Sequence, residues 1–337
     1  MPAEVCRRRF PLRAVPFREM TDTILRQELE TALGNDYEIV RELPQLTGIT
    51  AYSARSVRDG SRVEISAVPS NLLSGTIAPG DPTLGNSRLR HANILPVIDS
   101  GTYENTFYWV ASEVEARTLR SRLARGGRVD LKDSLILLRD MSAALAHAHV
   151  HGVVHGGLSP DSVLISGGSA LVSNLGLSQV FSSLNRPRDR GAFTAPGGGE
   201  SFRYLSPEQV SGAPADARSD VYAWGVIAYE LLAGRHPFTG RNTPREMVAA
   251  HAAEDPPQLL AGRFDVPAAV TRLVMKCLSK DPAKRPQAAG EICDILTREM
   301  LAPPPAAPAG SGQKMAIALV AMLAAAVAAL ALFGTSP

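Results

Sequence analysis

The chain has 337 residues, a formal net charge of +2, 45% hydrophobic content and three cysteines. That length accommodates one mid-sized domain with extensions, and the near-neutral balance excludes a nucleic-acid or acidic-substrate binder driven by charge. Cys6, Cys277 and Cys293 are odd in number and far apart, which excludes a disulfide framework or a cysteine-built metal centre and suits a reducing compartment.

The N-terminus carries Arg7, Arg8, Arg9, Arg13 and Arg18 without the apolar core of a signal peptide. It reads either as an arm for anionic lipid or as sequence ahead of a true start at Met20. Residues 20–33 have the pattern of an amphipathic helix capped by Thr21 or Asp22, and residues 1–36 are expected to form an N-terminal extension. Residues 37–43, YEIVREL, predict a strand, followed by PQLTGI over 44–49. In 63–68, VEISAV, the apolar Val63 and Ile65 alternate with Glu64 and Ser66 as a half-buried strand requires. No lysine precedes Lys132. Residues 74–85 hold two prolines and three glycines. An interior proline costs a helix ~3 kcal/mol and a glycine ~1, so a loop with at most a short helix is expected there.

Residues 151–166 read HGVVHGGLSPDSVLIS and residues 171–177 read LVSNLGL. Four further blocks follow: SFRYLSPEQ at 201–209, DARSDVYAWG at 216–225, LLAGRHPF at 231–238 and CLSKDPAKRP at 277–286. Residues 299–314 form a Pro/Ala/Gly linker that cannot hold a regular helix. Met315 to Phe333 contains no polar residue. At ~1.5 Å per helical residue that run spans a ~30 Å hydrocarbon core, so a transmembrane helix is expected over 315–333 with a short tail at 334–337. Lys314 on its N-terminal side is a positive-inside signal and places the preceding domain in the cytoplasm, anchored once to the cytoplasmic membrane. Alanines at 318, 321, 324, 325, 328 and 329 give a small-residue face. Both a plain anchor and a homodimer through that face stay open.

The blocks from 151 onward resemble bacterial serine/threonine protein kinases of the Hanks type, and the resemblance runs over about residues 37–298. It implies an α+β, bilobal fold: a small β-rich N-lobe at 37–115 and a large helical C-lobe at 116–298. By the same resemblance, Glu208 pairs with Arg285, Asp220 accepts backbone N–H groups of the loop at His155, and Gly225 permits close helix packing. These are structural kinase-fold residues.

The working positions depart from the family pattern. Its catalytic loop reads H-R-D-L-x-x-x-N, with Asp as base and Asn on magnesium. Here Gly156 stands for the arginine, Gly157 for the base, Ser159 for the following lysine and Ser162 for the asparagine. Asn174 stands for the magnesium-binding aspartate of D-F-G, and Ser66 for the phosphate-gripping lysine of V-A-I-K. Glu64 replaces the alanine that packs on adenine. The three glycine positions of the phosphate loop are filled by Pro44, Leu46 and Ile49, and the glutamate position of the regulatory helix falls on Pro82. Backbone amides close over phosphates only where side chains stay away.

The expectation is therefore a pseudokinase, a binding or scaffold module with no bound cofactor, no metal and no nucleic acid. Its partner would be a protein, an active kinase or that kinase's substrate. The alternative is an active kinase that uses ATP and magnesium with Asp161 as base.

Overall fold

The computed structural model describes residues 17–43, 49–70, 89–126, 129–176, 201–259 and 265–302. The chain opens with helix α1 (Phe17–Leu33). Strands β1 (Tyr37–Glu42), β2 (Thr50–Ser56), β3 (Arg62–Pro69), β4 (Val97–Tyr103) and β5 (Thr106–Ser112) then form an antiparallel sheet in the order β1-β2-β3-β5-β4. Period-two alternation sorts β3 into two faces. Val63, Ile65 and Ala67 join Tyr52, Ala54 and Val110 in a buried cluster, which Leu29 and Leu33 of α1 complete. Glu64 and Ser66 face the other way.

Helix α1 is therefore part of the N-lobe core, not only an extension. Its start at Phe17 lies a turn before the expected Thr21 or Asp22 cap, so both residues sit inside the helix. Capping preference is a local term of ~1 kcal/mol, whereas the buried spacing of Leu25, Leu29 and Leu33 fixes the whole helix against the sheet. Thr106 Oγ1 also donates to Glu28 at 2.6 Å, tying β5 to α1. Leu29→Ala should cost about 2–4 kcal/mol and lower the denaturant midpoint of the N-lobe. A change below 0.5 kcal/mol by urea titration would show that α1 is dispensable.

A short strand β6 (Arg117–Thr118) leads into α2 (Leu119–Ala124), capped by the Thr118 hydroxyl, which accepts from Ser121 N–H at 3.1 Å. Helix α3 (Leu131–Val150) follows, with Asp130 as N-cap. Strands β7 (Val163–Ser166) and β8 (Ser169–Val172) form a hairpin whose Gly167 and Gly168 both have positive φ, as a two-residue primed turn demands. After a 3-10 turn at Ser201–Tyr204 and the single-turn α4 (Pro207–Val210) comes α5 (Ala217–Ala233), nearly all of it buried. Helices α6 (Pro244–Ala253), α7 (Ala268–Cys277) and α8 (Ala289–Leu301) complete the lobe. Helix α5 is buried along most of its length, and Trp224 Nε1 donates to the Leu138 carbonyl of α3 at 3.0 Å. At Gly225 an added Cβ would lie 2.8 Å from Cys277 Cβ, so α5 and α7 meet at a distance only glycine allows.

The expected loop at 74–85, with Pro82, and the positions Pro44 and Leu46 lie outside the described residues. The linker expected from residue 299 starts later, because α8 continues through Leu301; most of the linker and the whole transmembrane run 315–333 also lie outside the described residues. Among the described residues no helix is long and apolar enough to cross a membrane.

Candidate active-site cleft

The loop joining α3 to β7 is fixed from below by one carboxylate. Asp220, 1% exposed at the start of α5, accepts the N–H of His155 at 2.8 Å and of Gly156 at 2.7 Å. His149 Nε2 lies 2.8 Å from the same carboxylate. Gripping two successive amides turns the chain sharply, and Gly156 has φ +65°. That is the left-handed region, where a side chain costs roughly 1–2 kcal/mol. His155 is buried, burial pushes its pKa down, and its Nδ1 accepts from Gly157 N–H at 3.3 Å.

Small hydroxyls close the rest of the loop on itself. Ser162 Oγ donates to the Ser159 carbonyl at 2.9 Å and accepts from Ser159 N–H at 3.1 Å. Ser173 donates its N–H and its hydroxyl to the Ser162 carbonyl, at 2.9 and 3.1 Å. Asn174 has φ +60°, which asparagine tolerates better than most side chains, and Leu175 is buried behind it.

Asp161 is held in a chain across four elements. Arg120 of α2 donates to it through Nε at 3.2 Å and Nη2 at 3.0 Å. Arg120 Nη1 also donates to Tyr204 Oη at 3.1 Å, and Tyr204 donates to Glu230 of α5 at 2.7 Å. Burial opposes the Arg120 charge, but Tyr204 and Asp161 outweigh it and push its pKa up. Beside this chain lies a small hollow of about 10 Å³, lined by Gly156, Gly157, Tyr204 and Leu205. Gln209 Nε2 bridges to the Gly156 carbonyl at 2.6 Å and so joins α4 to the loop.

On the N-lobe side, Ser66 is 4% exposed and pairs in register with Trp109, itself 3% exposed. The Ser66 hydroxyl meets Glu64 at 3.4 Å. Glu64 is open to water at its surface, yet desolvation by the cleft walls, with Glu113 adding to it, pushes its pKa up. Ser53 donates to Glu113 at 2.7 Å. The result is a surface of carboxylates and hydroxyls.

Glu208 and Arg285 form a bidentate pair, Nη1 to Oε1 at 2.8 Å and Nη2 to Oε2 at 2.9 Å, beneath the segment that ends at Gln209.

A two-lobed sheet-and-helix fold, with this loop seated on a buried aspartate, is what the protein kinase domain family matches over residues 85–296, well over half of the chain. The chain belongs to the protein kinase family. It is 32% identical over 213 residues to the serine/threonine-protein kinase PrkC of Bacillus subtilis, which is 63% of this chain and 32% of that protein. With the serine/threonine-protein kinase PknB of Mycobacterium tuberculosis it shares 33% identity over 225 residues, 65% of this chain and 35% of the relative. A probable PknB of Lactococcus lactis is 29% identical over 254 residues, 74% and 39% of the two chains. The chain thus spans about a third of the curated relatives it matches. The family match begins at residue 85, so β1, β2 and β3 precede it.

Kinases of this family imply ATP and magnesium, and the residues present do not fit them. Ser66, the residue expected at the family's lysine position, is buried beside a carboxylate and brings no cation to a phosphate. Ser162 Oγ is already closed onto Ser159, and Asn174 offers at best one neutral oxygen where magnesium prefers carboxylates. Among the described residues no group of three His, Cys, Asp or Glu side chains could hold a metal ion. The structure brings Gly157, Ser159, Ser162 and Asn174 together at the cleft. Ile49 forms an isolated bridge just before β2. Sequence reasoning missed Arg120, Gln209 and Trp109. Arg120 is one of several arginines in residues 117–125, and Gln209 closes the block at 201–209 as the N3 residue of a capping box begun by Ser206.

Proposed function

We propose that this kinase-family chain is a pseudokinase, a docking or scaffold module that transfers no phosphate. One observation carries the reading: the base position is Gly157, which has no side chain, and the acid and hydroxyl on the same loop, Asp161 and Ser162, are engaged with Arg120 and Ser159. A carboxylate could be replaced by another within reach, but Asp161 is an acceptor for Arg120 and its Arg120 partner also holds Tyr204. The docking face would be the wall from Ser201 to Gln209 together with the helices behind it, presented to a protein partner such as an active kinase or its substrate. Residues 315–333 would anchor the chain in the cytoplasmic membrane, with the kinase domain on the cytoplasmic side and the boundaries 37–298, 299–314 and 334–337 as read from the sequence.

The second reading, an active serine/threonine kinase, is favoured by family membership and by relatives that carry that name. It requires Asp161 to leave Arg120 and act as base. Thermal-shift titration with ATP, with and without Mg²⁺ or Mn²⁺, and a γ-phosphate transfer assay separate the two. The expected result is no shift and no label above contaminant level. Gly157→Asp should stay inactive, because Ser66 and Ser162 still leave the phosphates and the metal unheld. Metal-dependent transfer that disappears in Asp161→Asn would establish the second reading. Co-purification from detergent-solubilised membranes at pH 7.5 tests the docking role.

A further inference from the structure

The chain has seven histidines, and most of them are committed. His236 and His251 are buried against the Arg203 carbonyl at 2.9 and 2.6 Å. His155 is buried in its loop, and His149, its side chain 10% exposed, faces Asp220 through Nε2 at 2.8 Å. His91 Nδ1 accepts from Asn93 N–H at 3.1 Å, so the one hydrogen of the neutral ring sits on Nε2. That ring has no spare lone pair to offer. His147 and His151 remain, four residues apart at the end of α3, and both reach the surface.

The end of α3 sets the state of His151. A helix leaves its last carbonyls without an intrahelical N–H. Here the His151 N–H turns to the Ala148 carbonyl at 3.0 Å and leaves the His147 carbonyl behind. The His151 side chain reaches back to that carbonyl through Nδ1 at 2.8 Å. A carbonyl oxygen only accepts, so Nδ1 carries the hydrogen and Nε2 keeps a lone pair. A backbone carbonyl on the far nitrogen is also what orients a metal-ligating histidine. The His147 ring lies beside it, with centroids 4.5 Å apart and planes at 40°. Among the described residues neither His147 ring nitrogen makes a hydrogen bond, so its tautomer can follow a ligand.

Histidines at i and i+4 share one helix face, the spacing from which paired imidazoles hold zinc. The negative end of the helix dipole adds to the attraction for a cation. His91 packs on His147 at 5.1 Å but presents only an N–H, in keeping with the lack of a three-ligand group among the described residues.

We propose that His147 and His151 bind one divalent transition-metal ion of the kind that favours imidazole, Zn²⁺, Ni²⁺ or Cu²⁺, with water completing its shell. The site uses none of the cleft residues and needs nothing from the docking reading. Bound there, the ion joins the last turn of α3 to the turn that follows it. In that turn the N–H groups of Gly152 and Val153 return to the carbonyls of His149 and Ala148, each at 3.0 Å. Its stiffening would be felt at the entry to the loop at His155.

Calorimetric titration of Zn²⁺ and of Ni²⁺ into the untagged, detergent-solubilised full chain tests this. One ion should bind per chain. His147→Gln and His151→Gln should each weaken binding at least about tenfold, whereas His91→Gln should change it less than about threefold. Zn²⁺ should also slow hydrogen exchange at the amides of His151, Gly152 and Val153 in the wild type, and not in His147→Gln. His151→Gln also removes the donor to the His147 carbonyl; should that loosen the helix end, His147→Gln decides alone. No saturable binding below about 1 mM metal, equal affinity in wild type and His147→Gln, or a loss in His91→Gln as large as in His147→Gln would each overturn the site. None of these outcomes bears on phosphate transfer or partner capture, which are measured separately.

Discussion

Arg285→Ala should destabilise the helical lobe by about 3–5 kcal/mol, the cost of leaving a buried charge without its partner. The Arg285 side chain is fully buried and serves five acceptors. Nε donates to Ser279 O at 2.8 Å, Nη1 to Glu208 and to Arg218 O at 2.9 Å, and Nη2 to Glu208 and to Lys280 O at 3.2 Å. Without it Glu208 keeps only the Ser219 hydroxyl at 2.7 Å, and three carbonyls lose their donor. Arg285→Lys should recover less than half of the loss, because one ammonium cannot match a planar fork. Burial alone would raise the Glu208 pKa, but Arg285 and Ser219 outweigh it and hold the carboxyl at about 2. A depressed carboxylate pKa means that the contribution is complete above the unfolded value of ~4.3 and is lost as pH falls towards the folded one. Urea midpoints followed by circular dichroism should therefore fall between pH 4.5 and 2 in the wild type, and much less in Arg285→Ala. A midpoint shift worth under 1 kcal/mol at pH 7 would contradict this account.

Asp220→Ala should cost roughly 2–5 kcal/mol, since it leaves two buried N–H groups without an acceptor. The effect should be local in kind: His155 and Gly156 lose their anchor, and the loop over 151–162 becomes open to protease before the lobe unfolds. Asp220→Asn should restore about half, because one amide oxygen replaces two and the amide nitrogen then faces a donor. Limited proteolysis with mapped cleavage sites, run beside thermal unfolding, checks both claims. Equal protection of the loop in Asp220→Ala and wild type would show that Asp220 does not hold it.

These anchors were legible through the resemblance to a known family, not through any local pattern. It implied Glu208 with Arg285, Asp220 with the loop at His155, and Gly225 in a close helix contact, and the structure has all three. The residue types at the expected working positions can be read directly from the sequence. What could not be read was where the substitutes turn. Ser162 closes onto Ser159 and Asp161 onto Arg120 through contacts that no local pattern encodes. Helix α1 was legible as a helix but not as part of a core, because its partners on β2, β3 and β5 lie up to several dozen residues away. The two histidines on Arg203 lie in separate elements and meet only through the fold.

Gly156 limits what can stand at that position. With φ +65° the backbone there suits glycine, so a larger side chain brings strain of roughly 1–2 kcal/mol. A lysine placed at 66 would likewise enter a buried site opposite Trp109. Under the docking reading, each single substitution towards the family pattern therefore meets a local cost before it could complete a site.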